Sequence, residues 1–262
     1  MSSENISRTE LIAGGMLLAL DSYGKENEKL PLLILPGWMS SASAWRGIAT
    51  SLSEKRKVIV VDWPGFGGAP APKRALNIED YARATEEIIR RLGGRAHLLG
   101  HSFGGRVSIR TACRYPGIVD KLILLSSAGF NETSVRSVIL RAFARTFKKI
   151  FQGTFLMSFA KTIGIILGAR DALTAGSLRK TFEQVIFEDL SSDMKEISQS
   201  TLILWGKEDT VTPPEFAERI HALIQNSKIE WIEGATHISF LDKPDSVHSA
   251  IEHFLDNTAD SH

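Results

Sequence analysis

A Gly-x-Ser-x-Gly pentapeptide between an apolar run and a helix-like stretch constrains the fold of this chain more than any other feature. The apolar run at 96–99 leads into the sequence Gly-His-Ser-Phe-Gly at 100–104, and a helical pattern follows. In a strand–turn–helix setting, this pattern is typical of a sharp turn that lifts the serine side chain clear of a sheet. The glycines leave room where a Cβ would collide with neighbouring backbone. Because the pentapeptide also occurs by chance, the surrounding segments decide what it means.

Short apolar runs alternate with helical patterns along much of the chain. Several of the runs lack polar alternation, as expected for strands covered on both faces. The strand candidates are 11–20, 31–35, 57–61, 96–99, 121–126, 201–205 and 228–232, and the helix candidates are 43–53, 78–92, 104–114, 214–225 and 244–255. This alternation predicts an α/β fold with a doubly wound, mostly parallel sheet.

The stretch 131–196 breaks the alternation, because it contains helical patterns but no clear strand and is far longer than a normal crossover. We expect it to form an inserted helical cap over the C-terminal edge of the sheet, where α/β sheets bind ligands. Residues 1–130 and 197–262 then form the core domain.

The predicted cap is basic and aromatic. From 133 to 170 it carries seven Lys or Arg residues and no Asp or Glu. We interpret this segment as helical, with an apolar face on the pocket and its charges in water. A basic amphipathic helix can alternatively contact an anionic membrane surface or gather anionic substrates. The residues expected to line the pocket are Phe143, Phe147, Phe151 and Met157.

Composition excludes several classes of function. A net charge of +1 gives no overall field for nucleic acid. Cys113 is the only cysteine, so an intrachain disulfide is excluded and a cysteine-based metal site is not expected. No His, Asp and Glu cluster has metal-ligand spacing. Without a signal-peptide pattern or an apolar span of membrane length, the sequence predicts a cytoplasmic protein; the oligomeric state is not predicted.

A serine nucleophile needs a base to take its proton and a third group to orient that base. Ser102 is the candidate nucleophile. His237, between the run 228–232 and the last helix, is the candidate base, whereas His101 is a poor one because adjacent side chains on a tight elbow diverge. Glu208 and Asp209 follow the run 201–205 as candidate carboxylates. The order serine, carboxylate, histidine is the one expected for this arrangement.

The oxyanion formed during attack needs backbone N–H donors. Phe103 follows the serine at a helix start, where the helix dipole adds partial positive charge. Trp38 lies in the loop after 31–35, and Gly37 allows the backbone to approach closely. The glycine-rich segment 62–68 lacks a nucleotide-binding fingerprint and predicts a tight turn at the pocket edge.

The chain resembles the α/β-hydrolase superfamily over about residues 30–130 and 185–256. The resemblance rests on five motifs: Leu-Pro-Gly-Trp at 35–38, Asp-Trp-Pro-Gly-Phe-Gly at 62–67, Gly-His-Ser-Phe-Gly-Gly at 100–105, Trp-Gly-Lys-Glu-Asp at 205–209 and Gly-Ala-Thr-His at 234–237. Within the superfamily, the chain looks like the capped esterase and carbon–carbon-bond hydrolase branches. The resemblance implies Ser102 as nucleophile, Asp209 as acid, His237 as base, the amides of Trp38 and Phe103 as oxyanion hole, and no cofactor.

Three functions follow as hypotheses. The first is a carboxylic-ester hydrolase acting on a small to medium, partly apolar molecule through an acyl-enzyme. The second keeps the same residues but cleaves a carbon–carbon bond in a diketone-like substrate, with Arg106 or a cap arginine holding a carboxylate. The third is a non-catalytic ligand receptor or interaction protein on the same fold.

Overall fold

Unbroken apolar runs form the centre of an eight-stranded sheet in the computed structural model, which describes residues 6–131 and 172–257. All four residues of Leu32–Leu35 and all five of Val58–Asp62 are buried. The strands are β1 (Ile6–Ala13), β2 (Met16–Tyr23), β3 (Leu32–Leu35), β4 (Val58–Asp62), β5 (Ala96–His101), β6 (Val119–Leu125), β7 (Ser200–Gly206) and β8 (Ser227–Ile232). Their order across the sheet is β1-β2-β4-β3-β5-β6-β7-β8.

The sheet is antiparallel only at the β1 end. β1 pairs with β2 and β2 with β4 in antiparallel fashion, and the pairs from β4 through β3, β5, β6 and β7 to β8 are parallel. The parallel strands therefore bring the loops that follow them to one edge. The predicted doubly wound, mostly parallel sheet is confirmed.

The prediction of one strand over 11–20 is wrong, because this region is a hairpin of β1 and β2. Gly14 and Gly15 form the two-residue turn, with φ of 57° and 73°, and Ala13 pairs with Met16. Positive φ at both positions of such a turn matches the twist of the flanking strands. Glycine pairs between apolar runs signal a hairpin, and here the apolar residues on both sides concealed that signal.

Helices cover both faces of the sheet. They are α1 (Arg46–Leu52), α2 (Ile78–Arg91), α3 (Phe103–Arg114), α4 (Ala172–Ile186), α5 (Ser191–Lys195), α6 (Glu215–Leu223), α7 (Ser239–Asp242) and α8 (Pro244–Asp256), with short 3-10 helices at Ala42–Trp45 and Pro116–Ile118. One core cluster contains side chains of α2, α3 and α6, and the other contains side chains of α1 and α8. Each fully buried leucine or isoleucine in these clusters stabilises the fold by about 1.5–3 kcal/mol.

Local capping fixes where α2 begins. The Asn77 side chain accepts a hydrogen bond from the Asp80 N–H at 2.9 Å, and the Asp80 carboxylate accepts one from the Asn77 N–H at 3.0 Å. Such a reciprocal pair satisfies amides that the first helical turn leaves unbonded and contributes about 1 kcal/mol. The predicted helix 78–92 is therefore observed within one residue of its bounds.

In the described part of the segment between β6 and β7, the helix α4 packs over the loops after β3 and β4. The Leu76 N–H donates to Thr181 Oγ1 of α4 at 2.9 Å, and Ser177 Oγ donates to the Pro72 carbonyl at 2.7 Å. The Phe182 ring lies 5.2 Å from the Trp38 ring. These contacts place α4 at the edge where the parallel strands end. That residues 131–196 form a separate cap remains a prediction.

Candidate active site

Ser102 joins β5 to α3 through a backbone conformation that residues other than glycine rarely adopt, with φ of 53° and ψ of −113°. Close packing of β5 and α3 produces this turn. A Cβ on Gly104 would overlap the carbonyl oxygen of Leu35, and one on Gly100 would overlap the carbonyl oxygen of Gly104. The strand, sharp turn and helix predicted around Ser102 are all present.

Other residues with strained backbone lie close to Ser102. Among the described residues, the non-glycine residues with positive φ are Met39 (62°), Ser102 (53°) and Ser126 (44°). They follow β3, β5 and β6, which are neighbours in the sheet. Strained backbone of this kind persists only where surrounding structure enforces it, and it clusters at functional sites. The observation points to the ends of these three strands as the site.

The loop after β3 brings the two predicted oxyanion residues together. The rings of Trp38 and Phe103 are 5.3 Å apart in an edge-to-face contact, and Phe66 packs on Trp38 at 4.9 Å. Trp38 is buried, and Phe103 opens α3, so its amide lies at the positive end of the helix dipole. This aromatic cluster forms an apolar wall beside the turn at Ser102.

Asp209 and His237 form a buried pair at the same edge. His237 Nδ1 lies 2.9 Å from Asp209 Oδ2, and because the carboxylate accepts, Nδ1 carries the proton. Asp209 is 3% exposed, whereas the adjacent Glu208 is exposed to solvent. The structure thus brings the carboxylate of Asp209, and not that of Glu208, to the imidazole.

Thr212 completes the surroundings of this carboxylate. Its hydroxyl donates to Asp209 Oδ2 at 2.8 Å, and its backbone N–H donates to Oδ1 at 2.9 Å, as does that of Val211 at 2.8 Å. Burial raises the pKa of Asp209, but the charge and hydrogen bond of His237 and the bonds from Thr212 outweigh it. The pKa therefore lies below its ordinary value, and the carboxylate stays ionised beside the imidazole.

The Asp209–His237 pair is linked to the elbow by the loop after β6. The Ser102 N–H donates to the Leu125 carbonyl at 3.2 Å, and the Ala128 N–H donates to the Ser102 carbonyl at 3.1 Å. Thr212 Oγ1 lies 3.2 Å from the carbonyl oxygen of Ser126 in the same loop. Ser102, Asp209 and His237 therefore lie in the loops that follow β5, β7 and β8, at one edge of the sheet. Such a constellation is suited to nucleophilic attack on a carbonyl carbon.

The sequence profile of the alpha/beta hydrolase family matches residues 32–250, which include the elbow and the Asp209–His237 pair. The chain belongs to the alpha/beta hydrolase family. Its relatives include the pimeloyl-[acyl-carrier protein] methyl ester esterase of Nitrosospira multiformis, which is 25% identical over 263 residues covering 92% of this chain and 99% of the relative.

Solved structures resemble this hydrolase in fold. An esterase from Exiguobacterium antarcticum has a TM-score of 0.77 at 24% identity, covering 96% of this chain and 100% of that one. A meta-cleavage product hydrolase from Pseudomonas fluorescens has a TM-score of 0.75 at 21% identity, covering 96% and 98%. At these identities the likeness establishes the shared fold.

Asp62 is a structural hub of this hydrolase that the sequence did not single out. Its Oδ1 accepts the Ala42 N–H at 2.6 Å, its Oδ2 accepts the Gly68 N–H at 2.8 Å, and Arg8 also bonds Oδ2. One carboxylate thereby ties the loop after β3 to the turn at 62–68, which the sequence did predict. A single aspartate at the end of an apolar strand was the available signal.

The suggestion that Arg106 holds a substrate carboxylate is wrong. Its guanidinium is 1% exposed and donates to the carbonyl oxygens of Phe130 (2.8 Å) and Glu188. Burial lowers the pKa of Arg106 to about 10, although the acidic side chains of Glu188 and Asp189 oppose this. Arg106 instead anchors the segment between β6 and β7 onto α3.

Several sequence predictions concern residues outside the described part of the chain. These are the pocket-lining residues Phe143, Phe147, Phe151 and Met157 and the basic stretch 133–170. Within residues 6–131 and 172–257, no three metal-ligating side chains cluster as a metal site would require, and no helix has the length and apolarity to span a bilayer.

Proposed function

We propose that this hydrolase cleaves carboxylic esters with Ser102 as nucleophile, His237 as general base and Asp209 as the orienting acid. The observation that carries the proposal is the buried contact of His237 Nδ1 with Asp209 Oδ2 at 2.9 Å, at the sheet edge where Ser102 occupies its strained elbow. With Nδ1 protonated toward Asp209, Nε2 carries the lone pair that a general base needs.

The chemistry proceeds in two halves. Ser102 Oγ attacks the ester carbonyl carbon as its proton passes to His237 Nε2, and the resulting oxyanion is bound by the amides of Trp38 and Phe103. Collapse breaks the carbon–oxygen bond, and the imidazolium returns its proton to the departing alkoxide. Water then attacks the acyl-enzyme, with His237 taking one proton and returning it to Ser102 Oγ, and a carboxylic acid is released.

The apolar wall favours a substrate with an apolar acyl chain of small to medium size. Phe66 and Phe182 each contact the ring of Trp38 near the elbow, and such aromatic side chains favour apolar groups. The Nitrosospira multiformis relative is named as a methyl ester esterase, so methyl esters are substrates to test. We further propose that residues 131–196 form a cap over the pocket. The contacts of α4 with the loops after β3 and β4 support this proposal.

The carbon–carbon-bond hypothesis requires a cation that holds a substrate carboxylate. Arg106, the candidate among the described residues, donates to backbone carbonyl oxygens instead. A receptor function makes no use of an acid–base pair buried beside a strained serine. The ester hypothesis is therefore the one that the described residues support best.

The test is hydrolysis of an ester panel by purified protein, followed by proton release in a pH-stat. The panel holds nitrophenyl esters and methyl esters of acyl chains from two to ten carbons, together with a vinylogous diketo acid. We expect ester turnover by the wild type and by Ser108→Ala, which removes a buried α3 hydroxyl outside the site, and loss of at least about 10³-fold in Ser102→Ala. Equal turnover in Ser102→Ala, or cleavage of the diketo acid alone, would contradict the proposal.

A further inference from the structure

His101 is a buried imidazole beside the nucleophile that the proposed mechanism does not use. It is the last residue of β5, is 4% exposed, and lies with its ring 4.9 Å from the ring of His237. Its Nε2 is 2.9 Å from the backbone carbonyl oxygen of His237. Because a carbonyl oxygen can only accept, Nε2 must carry the proton and donate it.

The opposite side of the same ring packs on the loop after β3. A Cβ on Gly37 would lie 3.0 Å from His101 Nδ1 and 3.3 Å from Ser102 Cβ, so the Gly37 backbone lies directly against both residues. Gly37 immediately precedes the proposed oxyanion donor Trp38. One ring therefore touches the loop that carries the base and the loop that carries an oxyanion donor.

Aromatic neighbours fix the orientation of this ring. Trp45 and Phe240 stack on each other with centroids 4.0 Å apart, and both meet the His101 ring edge-to-face, at 5.7 Å and 5.2 Å. Phe240 belongs to α7, which directly follows the His237 loop, and Trp45 ends the 3-10 helix that follows the Trp38 loop. The Trp45–Phe240 stack therefore packs against one side of the His101 ring and limits its rotation there.

We propose that His101 is a positioning residue that sets the base-bearing loop and the oxyanion loop at a fixed distance from each other and from Ser102. This inference rests on the proposed ester hydrolysis. Its Nε2–H fixes the His237 backbone, and its Nδ1 edge supports Gly37, so neither loop moves without displacing the ring. His101 neither accepts nor delivers a proton during turnover.

The protonation state agrees with this role. Burial, followed by the nearby His237, lowers the pKa of His101 to about 3, against the opposing effects of the bond to the His237 carbonyl and the charge of Asp209. The ring is neutral throughout the working range of an esterase, and its Nε2–H tautomer persists. Because the ring stays neutral over this range, its contacts with the two loops do not change with pH.

Nitrogen-15 NMR of the wild-type protein tests the geometry without any substitution. We expect the His101 signals to show a neutral ring protonated at Nε2, unchanged between pH 5 and pH 8, with His101→Gln identifying the resonances. An Nδ1–H tautomer, or titration of this ring within that range, overturns the inference.

Kinetics of matched variants test the consequence. His101→Phe keeps an aromatic ring against the Trp45–Phe240 stack but loses the donor, and His101→Gln restores a donor without the ring. A misplacement near 1 Å costs about 10²-fold in rate, so we expect His101→Phe to lower kcat by about 10- to 100-fold with KM within threefold, and His101→Gln to recover part of the loss. His97→Gln, which changes a buried histidine at the other end of β5, serves as the control.

The outcomes separate this inference from the proposed function. Absence of ester turnover in the wild type refutes the proposed function. An active wild type with His101→Phe within twofold of its kcat refutes the positioning role alone, as does an equal loss of kcat in His97→Gln. If His101→Phe does not fold, judged by circular dichroism, His101→Gln compared with His97→Gln and the wild-type NMR spectra decide the matter.

Discussion

Asp62 and Asp209 are both buried carboxylates at the ends of parallel strands, but their partners differ in kind. Asp62 accepts the backbone amides of Ala42 and Gly68 and the guanidinium of Arg8, none of which changes protonation near neutral pH. Asp209 accepts the Nδ1–H of the His237 imidazole, a ring whose second nitrogen can bind a proton. The partners therefore distinguish the two carboxylates: Asp62 holds two loops together, whereas Asp209 lies where it can orient an imidazole.

Asp209→Asn should give the largest effect on catalysis. An asparagine donor facing His237 Nδ1 favours the wrong tautomer of the imidazole, so Nε2 no longer offers a lone pair to Ser102. We expect kcat for ester hydrolysis to fall by about 10³- to 10⁴-fold, while the free energy of unfolding changes by less than in Asp62→Asn. A kcat within tenfold of wild type in a folded variant would remove Asp209 from the proposed mechanism.

Asp62→Asn should have the opposite pattern, with a larger loss of stability and a smaller loss of kcat than Asp209→Asn. The amide group presents a donor where the carboxylate accepted from a backbone N–H, which leaves a buried amide unsatisfied. Arg8 also loses one of its two charged partners and keeps Asp21. We expect urea denaturation to show a loss of about 2–3 kcal/mol and kcat to fall only about tenfold, because the Trp38 loop loosens. If unfolding is unchanged and kcat falls as far as in Asp209→Asn, the two carboxylates do not differ as described.

Thr212→Val should give the smallest effect. The variant keeps the side-chain volume but loses the hydroxyl bond to Asp209 Oδ2, so the pKa of Asp209 moves up toward its ordinary value. A bond of this kind contributes about 1–1.5 kcal/mol, which corresponds to roughly a tenfold loss or less in kcat. Steady-state kinetics at pH 7 measure the change in kcat. The backbone N–H of residue 212 still donates to Asp209 in the variant, so the change reports the hydroxyl bond alone.

The stability of Thr212→Val should also depend on pH in a defined direction. Because the pKa of Asp209 is depressed in the folded state, its contribution is present above its unfolded value near pH 4 and is lost as the pH falls through the folded value. The difference in unfolding free energy between wild type and variant should therefore exist at pH 7 and shrink below about pH 4. A difference that grows on acidification would contradict this origin.

Motif and order in the sequence were sufficient to predict the sheet and the elbow, whereas the choice of Asp209 over Glu208 as the partner of His237 came from the family resemblance. Thr212 and Asp62 were not predicted as partners, since their hydrogen bonds depend on how separate loops fold back on one another. The β1–β2 hairpin was missed because apolar residues continue on both sides of Gly14-Gly15. Arg106 looked like an anion-binding group in the sequence, and only its burial and its two carbonyl partners show otherwise.

The most direct test of the account is intact-mass spectrometry after incubation with a fluorophosphonate, which reacts with a serine only when a base and oxyanion donors activate it. The account predicts one adduct on the wild type, none on Ser102→Ala, and much slower labelling of Asp209→Asn than of Asp62→Asn. Absence of the adduct on folded wild-type protein, or an equal adduct on Ser102→Ala, would contradict the claim that Ser102 is an activated nucleophile.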